Sequence, residues 1–295
     1  MNEFNTNQIA KILCGSTLAL TQQVLIAEKV KNIKLTMGRA PCLVVVLVGE
    51  HPSSLVYVAA KQKACEKVGI ESRVLRLEQN ITQIKLQLVL EKLNNDSSVD
   101  GILIQLPLPQ GLDASALLDI LNPAKDVDGL TPYNLGLLMS GRPAFIPCTP
   151  LGCMDLISQT ISPAGKRAVV LGRSILVGRP MALLLEAANA TVTVLHSKSQ
   201  NTQAICREAD IVVAAIGKPG FVTADFIKPG AVVIDVGITR YGDKLLGDVH
   251  ESVATVAGWL TPVPGGVGPM TITKLLSNTL LAFEKKYLCK QHPAV

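Results

Sequence analysis

Short unbroken aliphatic runs alternate along this chain with longer stretches in which apolar residues recur every three or four positions. The run LVVVLV at 43–48, ended by Gly49, predicts a strand buried on both faces. Residues 70–77 and 99–105 predict two further strands, and residues 16–37 and 81–93 predict helices. Strand, helix, strand, helix, strand in that order implies a parallel sheet with right-handed crossovers. A second such pattern starts at Lys166: a strand, a glycine turn, a helix opening at Gly178 with Pro180 in its first turn, and a strand ending at Leu195. ADIVVAAIG at 209–217 and AVVIDVG at 231–237 predict more buried strands, with a turn at Tyr241-Gly242-Asp243. A helix is expected at 132–139, and another after the glycine-proline loop at 261–271. The fold class is α/β.

One helix carries an anomaly. Residues 53–69 have an N-cap hydroxyl in Ser53 or Ser54, no interior proline, and Gly69 where a left-handed residue would end the helix. At about 100° per residue, Ser54, Tyr57, Val58, Lys61, Ala64, Cys65 and Val68 share one stripe, opposite Gln62, Lys63, Glu66 and Lys67. Lys61 therefore sits in the middle of the apolar face. A buried ammonium is relieved by a partner or by a lowered pKa, which would make an amine base at neutral pH. A long stem that carries the charge back to solvent is the plain alternative. Tyr57, one turn earlier on the same face, would project beside the amine.

In a parallel sheet, ligands lie beyond the carboxyl ends of the strands. Gln105 stands at such an end, just before the two prolines of LPLP. Its amide could accept a hydrogen bond from Lys61 without adding a negative charge, although a polar strand terminus needs no function at all. LNPAKDVDGLTPYN, from Leu121, reads as a loop leaving the first domain, and Asp126 and Asp128 in it read equally well as turn residues.

The turn GRSILVG at 172–178 is similar to a dinucleotide-binding turn, departing from it by a serine and one extra residue. A NAD-selective site would carry an acid after the following strand. Here Leu195-His196-Ser197-Lys198 has none, and Arg173, Ser197 and Lys198 could receive a 2′-phosphate, which favours NADP. Solvated loop residues would look the same without the glycine turn. The glycines of TPVPGGVGPMT at 261–271 permit close backbone approach to a ligand, or a stiff crossing between domains.

Composition narrows the class. With 295 residues the chain has room for two domains, and 48% apolar against 17% charged residues makes it globular. The longest aliphatic run is far shorter than the ~20 residues a membrane helix needs, and the first residues lack the marks of a secretory signal. Seven cysteines, at 14, 42, 65, 148, 153, 206 and 289, form no CxxC and fit reduced thiols. Four histidines, at 51, 196, 250 and 292, are dispersed, so no metal site is expected. The net charge of +5 has no basic run behind it and suits small anions better than nucleic acid. A cytoplasmic protein without membrane or nucleic-acid partners is the expectation.

Taken together, YVAAK at 57–61, QLPLP at 105–109, DVDG at 126–129, GRSILVGRP at 172–180 and PVPGGVGPMT at 262–271 resemble the bifunctional methylenetetrahydrofolate dehydrogenase/cyclohydrolase family, in order and over nearly the whole chain. Ser53 stands where relatives commonly have alanine. The resemblance implies two domains around a cleft: residues 1–143 with 270–295 as a folate-binding domain completed by the C-terminal helix, and 144–269 as an inserted Rossmann-type NADP-binding domain. It implies a homodimer in one-carbon metabolism and purine biosynthesis that oxidises methylenetetrahydrofolate with NADP and hydrolyses the methenyl product to 10-formyltetrahydrofolate. By resemblance Lys61 is the acid/base of hydrolysis, Gln105 its tuning partner, Tyr57 the ring stacked on the folate, and Asp128 the anchor of the pterin. Leu106, Pro264, Gly265, Gly266 and Val267 would complete the substrate site. Thr149, Gly172, Arg173, Ser174, Ser197, Ile238 and Gly268 would line the NADP site. A relative that keeps one activity, or a non-catalytic dinucleotide sensor, would share many of these motifs, but a sensor has no use for a buried lysine opposite an amide.

Overall fold

A computed structural model of the protein describes residues 9–242 and 244–287, with the backbone alone at Ser53. Asp243 of the expected turn, the Ser53 hydroxyl, Cys289 and His292 lie outside the described residues. The chain divides into two compact units, one of residues 1–19 and 149–271, the other of 20–148 and 272–295.

The chain runs through β1 (Lys11–Ile12), α1 (Gly15–Met37), β2 (Cys42–Val48), α2 (Pro52–Val68), β3 (Glu71–Leu77), α3 (Gln83–Asn95), β4 (Gly101–Ile104), α4 (Ala114–Ile120) and α5 (Pro132–Met139). In the unit of residues 20–148, β2 lies between β3 and β4 in a three-stranded parallel sheet, and all its residues are buried. Period-2 alternation sends Leu43, Val45 and Leu47 to one face, against Val58, Cys65 and Val68 of α2 and Ile26, Val30 and Ile33 of α1. Val44, Val46 and Val48 go to the other face, against Leu86 and Leu90 of α3 and Leu117 and Leu118 of α4.

The structure amends the sequence reading in two places here. Helix α2 begins at Pro52 with His51 as its N-cap, not at Ser53 or Ser54, because Pro52 has its φ preset for the first helical turn. Gly69, at φ 80°, ends it as expected. Helix α4 was not expected at all. It is only seven residues long, and the Asp113 carboxylate caps it by accepting from the Ser115 and Ala116 N–H groups.

The rest of the chain forms α6 (Cys148–Ser158), β5 (Arg167–Leu171), α7 (Gly178–Ala187), β6 (Thr191–Leu195), α8 (Thr202–Arg207), β7 (Ile211–Ala214), β8 (Val232–Asp235), the hairpin β9 (Thr239–Tyr241) and β10 (Lys244–Leu246), β11 (Trp259–Leu260) and α9 (Val267–Tyr287). In the unit of residues 149–271 a parallel sheet has the order β1-β11-β8-β7-β5-β6. The chain goes from β5 outward to β6 and then returns to β7 on the other side of β5. That reversal is a topological switch point, where such sheets bind ligands at their carboxyl ends.

The N-terminal residues depart from the expected 1–143 segment. Lys11 and Ile12 pair in parallel with Trp259 and Leu260, and Leu13 packs into the core with Ile211, Val213 and Met270, which puts this segment with the nucleotide-binding pattern. From residue 272 onward α9 packs in the other unit, where Leu275, Leu276, Leu280 and Phe283 join the β2 core. Its end is held by Arg39, which donates two 2.8 Å bonds to Asp100 and one to the Tyr287 hydroxyl while stacking 4.7 Å from the Phe283 ring.

Candidate active site

Two elements place the amine and the amide. Lys61 projects from the buried stripe of α2 and is only 9% exposed, so its stem does not carry the charge to solvent. Its Nζ donates a buried 3.0 Å hydrogen bond to Gln105 Oε1. Gln105 follows β4, and its backbone N–H still pairs with the Val46 carbonyl of β2. The Gln105 Nε2 donates to the Leu106 carbonyl at 2.7 Å, which needs a donor and so fixes the oxygen end of the amide toward Lys61. Tyr57 stands at the exposed edge of the same stripe.

The two aspartates of DVDG separate cleanly. Asp126 is the turn residue: its carboxylate accepts from the N–H groups of Leu130 and Thr131 and from Asn134 Nδ2, at 2.8 to 3.1 Å. Asp128 is left to face Lys61 and the Cys148 thiol. Leu106 lines a small cavity with Asp126, Asp128, Ile104 and Leu130. The loop is tied from behind by Asn278 of α9, whose Nδ2 donates to the carbonyls of Val127 and Ile146 at 2.8 and 3.0 Å.

Burial pushes the Lys61 ammonium below the ordinary lysine range, and the Asp128 charge opposes that shift. Burial likewise raises the Asp128 carboxyl, with Lys61 opposing. Each neutral partner withdraws support for the charge of the other. Gln105 is thus not, as expected from the sequence, the only group facing Lys61: Asp128 adds a partly compensating carboxylate. Cys148, expected only as one of seven reduced thiols, donates to the Val127 carbonyl at 3.3 Å, and burial beside Asp128 keeps it a neutral thiol. A cysteine in a proline-flanked PCTPLG carries no pattern that would have revealed it.

The second set of residues lies in the other unit, at the switch point. A pocket of about 280 Å³ is lined by Gly172 and Arg173 after β5, His196 and Ser197 after β6, Ile216 and Lys218 after β7, and by Thr202 and Phe221 among others. Gly172 has φ 115°, and a Cβ there would stand 2.2 Å from the Ala215 carbonyl oxygen, so the turn passes the end of β7 only as glycine. Ser174 Oγ accepts from the N–H groups of Val177 and Gly178 at 3.2 and 3.4 Å, capping the start of α7. Of the cations and hydroxyls expected at a 2′-phosphate, Arg173 and Ser197 line the pocket and Lys198 does not. His196, Thr202, Lys218 and Phe221 were not foreseen.

Thr149 also stands off this pocket, with its hydroxyl 3.0 Å from that of Thr271, as do Ile238 and Gly268, which lie near one another. Pro264, Gly265, Gly266 and Val267 belong to this unit, whereas Lys61, Gln105 and Asp128 belong to the other. Gly265 accepts from Ser16 N–H at 2.9 Å, and a Cβ on Gly15 would fall 1.8 Å from the Gly266 carbonyl oxygen, so the start of α1 already explains part of the glycine content of this loop.

Two family models match the chain: residues 13–128 match the tetrahydrofolate dehydrogenase/cyclohydrolase catalytic domain, and residues 147–287 the NAD(P)-binding domain of the same family. The chain belongs to the tetrahydrofolate dehydrogenase/cyclohydrolase family. Bifunctional protein FolD of Moorella thermoacetica is 52% identical over 276 residues, 92% of this chain and 98% of that protein. The bifunctional FolD enzyme of Campylobacter jejuni superposes with a TM-score of 0.91 at 43% identity, covering 94% of this chain and 99% of that one. The FolD of Trypanosoma brucei, solved with NADP cofactor and an inhibitor, gives 0.91 at 39% identity over 94% and 98% of the two chains. In this family setting the pocket at the β5–β7 reversal fits a dinucleotide: it has the close glycine approach and an exposed guanidinium and hydroxyl.

Proposed function

We propose that Lys61, Gln105, Asp128 and Tyr57 form the folate site of a bifunctional enzyme and that Lys61 is its acid/base. The chain is an NADP-dependent methylenetetrahydrofolate dehydrogenase and methenyltetrahydrofolate cyclohydrolase of one-carbon metabolism. The observation that carries the residue roles is the buried Lys61–Gln105 hydrogen bond beside Asp128.

When bound, NADP supplies the acceptor for a hydride from the methylene carbon of the substrate. Arg173 and Ser197 would hold its 2′-phosphate and Gly172 would admit its backbone. Asp128, as a carboxylate, accepts from the ring N–H and the exocyclic amine of the pterin together. Tyr57 offers its ring to the aminobenzoyl group. Substrate contacts from Pro264, Gly265, Gly266 and Val267, and cofactor contacts from Thr149, Ile238 and Gly268, remain part of this proposal on the strength of the motif PVPGGVGPMT and the family relationship.

In hydrolysis, Lys61 as a neutral amine takes a proton from water as its oxygen bonds to the methenyl carbon. Lys61 then returns that proton to the ring nitrogen as the carbon–nitrogen bond breaks, while the adduct's O–H gives its proton to solvent and becomes the formyl carbonyl on the other nitrogen; the substrate's positive charge leaves as that released proton. Gln105 orients the amine without adding charge. The test follows formation and decay of the methenyl species by absorbance, first with NADP and then with NAD. A methenyl species that forms and never decays would leave the dehydrogenase alone; equal efficiency with both cofactors would overturn the assignment of Arg173 and Ser197.

The 10-formyl product is a formyl donor for purine biosynthesis. A cytoplasmic homodimer completes the reading. The described cysteines Cys14, Cys42, Cys65, Cys148, Cys153 and Cys206 are free thiols, which suits a reducing compartment. Light scattering that returned a monomer mass of 31.3 kDa would remove the dimer.

A further inference from the structure

Behind the nucleotide pocket lie two buried carboxylates that no step above uses. Asp248 has no exposed surface. Its Oδ2 accepts from the N–H groups of Ile216 and Gly217 at 2.7 and 3.0 Å, and its Oδ1 from that of Lys218 at 2.7 Å. Three consecutive backbone donors thus converge on one side chain, an anion-binding concavity whose anion is built into the chain. These residues form the turn that leaves β7, and Ile216 and Lys218 are walls of the pocket. Asp235, at the end of β8, holds Asp248 in turn. Its Oδ1 accepts from Gly237 and Asp248 N–H at 3.0 and 2.9 Å, and its Oδ2 from Val249 N–H at 3.0 Å. Both carboxylates are packed against glycine: a Cβ on Gly237 would meet Asp248 Cγ at 2.2 Å, and one on Gly247 would meet Asp235 Oδ2 at 1.8 Å.

We propose that Asp248, anchored by Asp235, is a positioning residue for NADP: it holds the turn 216–218 in the shape that the cofactor binds. The proposal rests on the assignment of this pocket to NADP. A turn outside the β ladder is ordered only if its donors are satisfied. When the fold supplies that acceptor, the ordering is complete before the cofactor arrives and does not weaken its binding. Asparagine is nearly the same size but offers one acceptor oxygen, and its amide N–H groups would face a backbone N–H.

The test compares Asp248→Asn, Gly217→Ala and Arg173→Ala with the unmodified protein. Gly217 has φ 67° with nothing within 4 Å of a new Cβ, so alanine there strains the turn without touching the carboxylate or a neighbour. Hydrogen exchange at 216–218 is read without cofactor, NADP affinity by calorimetry, and hydrolysis of added methenyltetrahydrofolate without NADP. Asp248→Asn should speed exchange at 216–218 and weaken NADP binding roughly tenfold or more, the usual scale for losing charged hydrogen bonds. At saturating NADP its dehydrogenase kcat should stay within about twofold and hydrolysis should be unchanged, as expected for lost binding alone. Should Asp248→Asn not fold, Gly217→Ala decides: exchange and affinity must change together there as well. Faster exchange with unchanged NADP affinity, in either variant, overturns the proposal. Arg173→Ala separates it from the assignment of the pocket. Unchanged affinity in that variant overturns both, whereas weakened affinity there beside unchanged affinity in Asp248→Asn overturns the positioning role alone.

Discussion

The two units handle charge in opposite ways. Around Lys61 the chain buries an amine, a carboxyl and a thiol whose partners are one another, the Gln105 amide and, for the thiol, the Val127 carbonyl. Around the β5–β7 reversal the buried carboxylates of Asp235 and Asp248 are spent on backbone N–H groups, and the side chains that face the pocket, Arg173 and Ser197, are exposed. The first arrangement suits proton transfer, because under-compensated burial moves a pKa toward neutrality. The second suits recognition, because a satisfied carboxylate fixes shape and leaves the surface charge free for a ligand. Removing the amine should therefore abolish a step, whereas substitutions around the β5–β7 reversal should act by degrees.

The largest expected effect is at Lys61. Lys61→Met keeps length and apolar bulk and removes the amine, so hydrolysis of methenyltetrahydrofolate should fall by at least about a thousandfold, within the usual range for an acid/base. NADP reduction should remain measurable. Stopped-flow hydrolysis of the added methenyl compound reads this directly, and wild-type hydrolysis in the variant would break the comparison at its root.

Next come the paired aspartates, two residues apart with opposite duties. Asp128→Asn should raise the KM for folate on the order of a hundredfold for both reactions, the upper scale for losing hydrogen bonds to a charged group, with thermal stability nearly unchanged. Asp126→Asn should instead cost about 1–3 kcal/mol of stability, since it weakens three buried bonds to a carboxylate. If urea unfolding shows Asp128→Asn to be the destabilised one, the roles are reversed.

In the other unit Arg173→Ala should weaken NADP roughly tenfold and leave NAD binding alone, narrowing the preference between them. Direct binding of each cofactor measures it. An equal loss for both would mean that Arg173 contacts something other than the 2′-phosphate.

What was legible in the sequence follows the same division. Lys61 and Gln105 could be read because a helix stripe and a strand end are local patterns, and Gly172 because a close approach to a neighbouring strand admits no side chain. The resemblance singled out Asp128, but the residues of the loop alone did not separate it from Asp126, since only the positions of Leu130, Thr131 and Asn134 decide which carboxylate is used in the turn. Cys148 and Asp248 left no local trace: their partners are 21 and about 30 residues away in sequence. The pairing of β1 with β11 joins two-residue strands at opposite ends of the chain, too short for any periodicity to register.

The smallest expected effect is a pH dependence of stability, and its sign tests the cause assigned to the Lys61 shift. An unfolded lysine titrates near 10.5, and burial lowers the folded value below that, with Asp128 acting against it. Between the lowered folded pKa and the unfolded one, the unfolded state binds more protons, so stability rises with pH through that window, by at most about 1.4 kcal/mol per pH unit for one proton. Below the window the folded protein carries the full penalty of a buried ammonium; above it, none. Lys125 is also lowered by burial and contributes a rise of its own. The difference between unmodified protein and Lys61→Met isolates the Lys61 part. The buried thiols, their pKa values raised by burial, pull stability down in the same range in both proteins, so urea unfolding across alkaline pH should show the unmodified protein gaining stability relative to Lys61→Met as the pH rises. A second comparison reverses the emphasis: in Asp128→Asn the opposing charge is gone, so the Lys61 pKa falls further and the window opens at lower pH. Parallel curves for the unmodified protein and Lys61→Met would mean that the amine holds its proton in the folded state as it does in water, and the proton-transfer role of this unit would lose its physical basis.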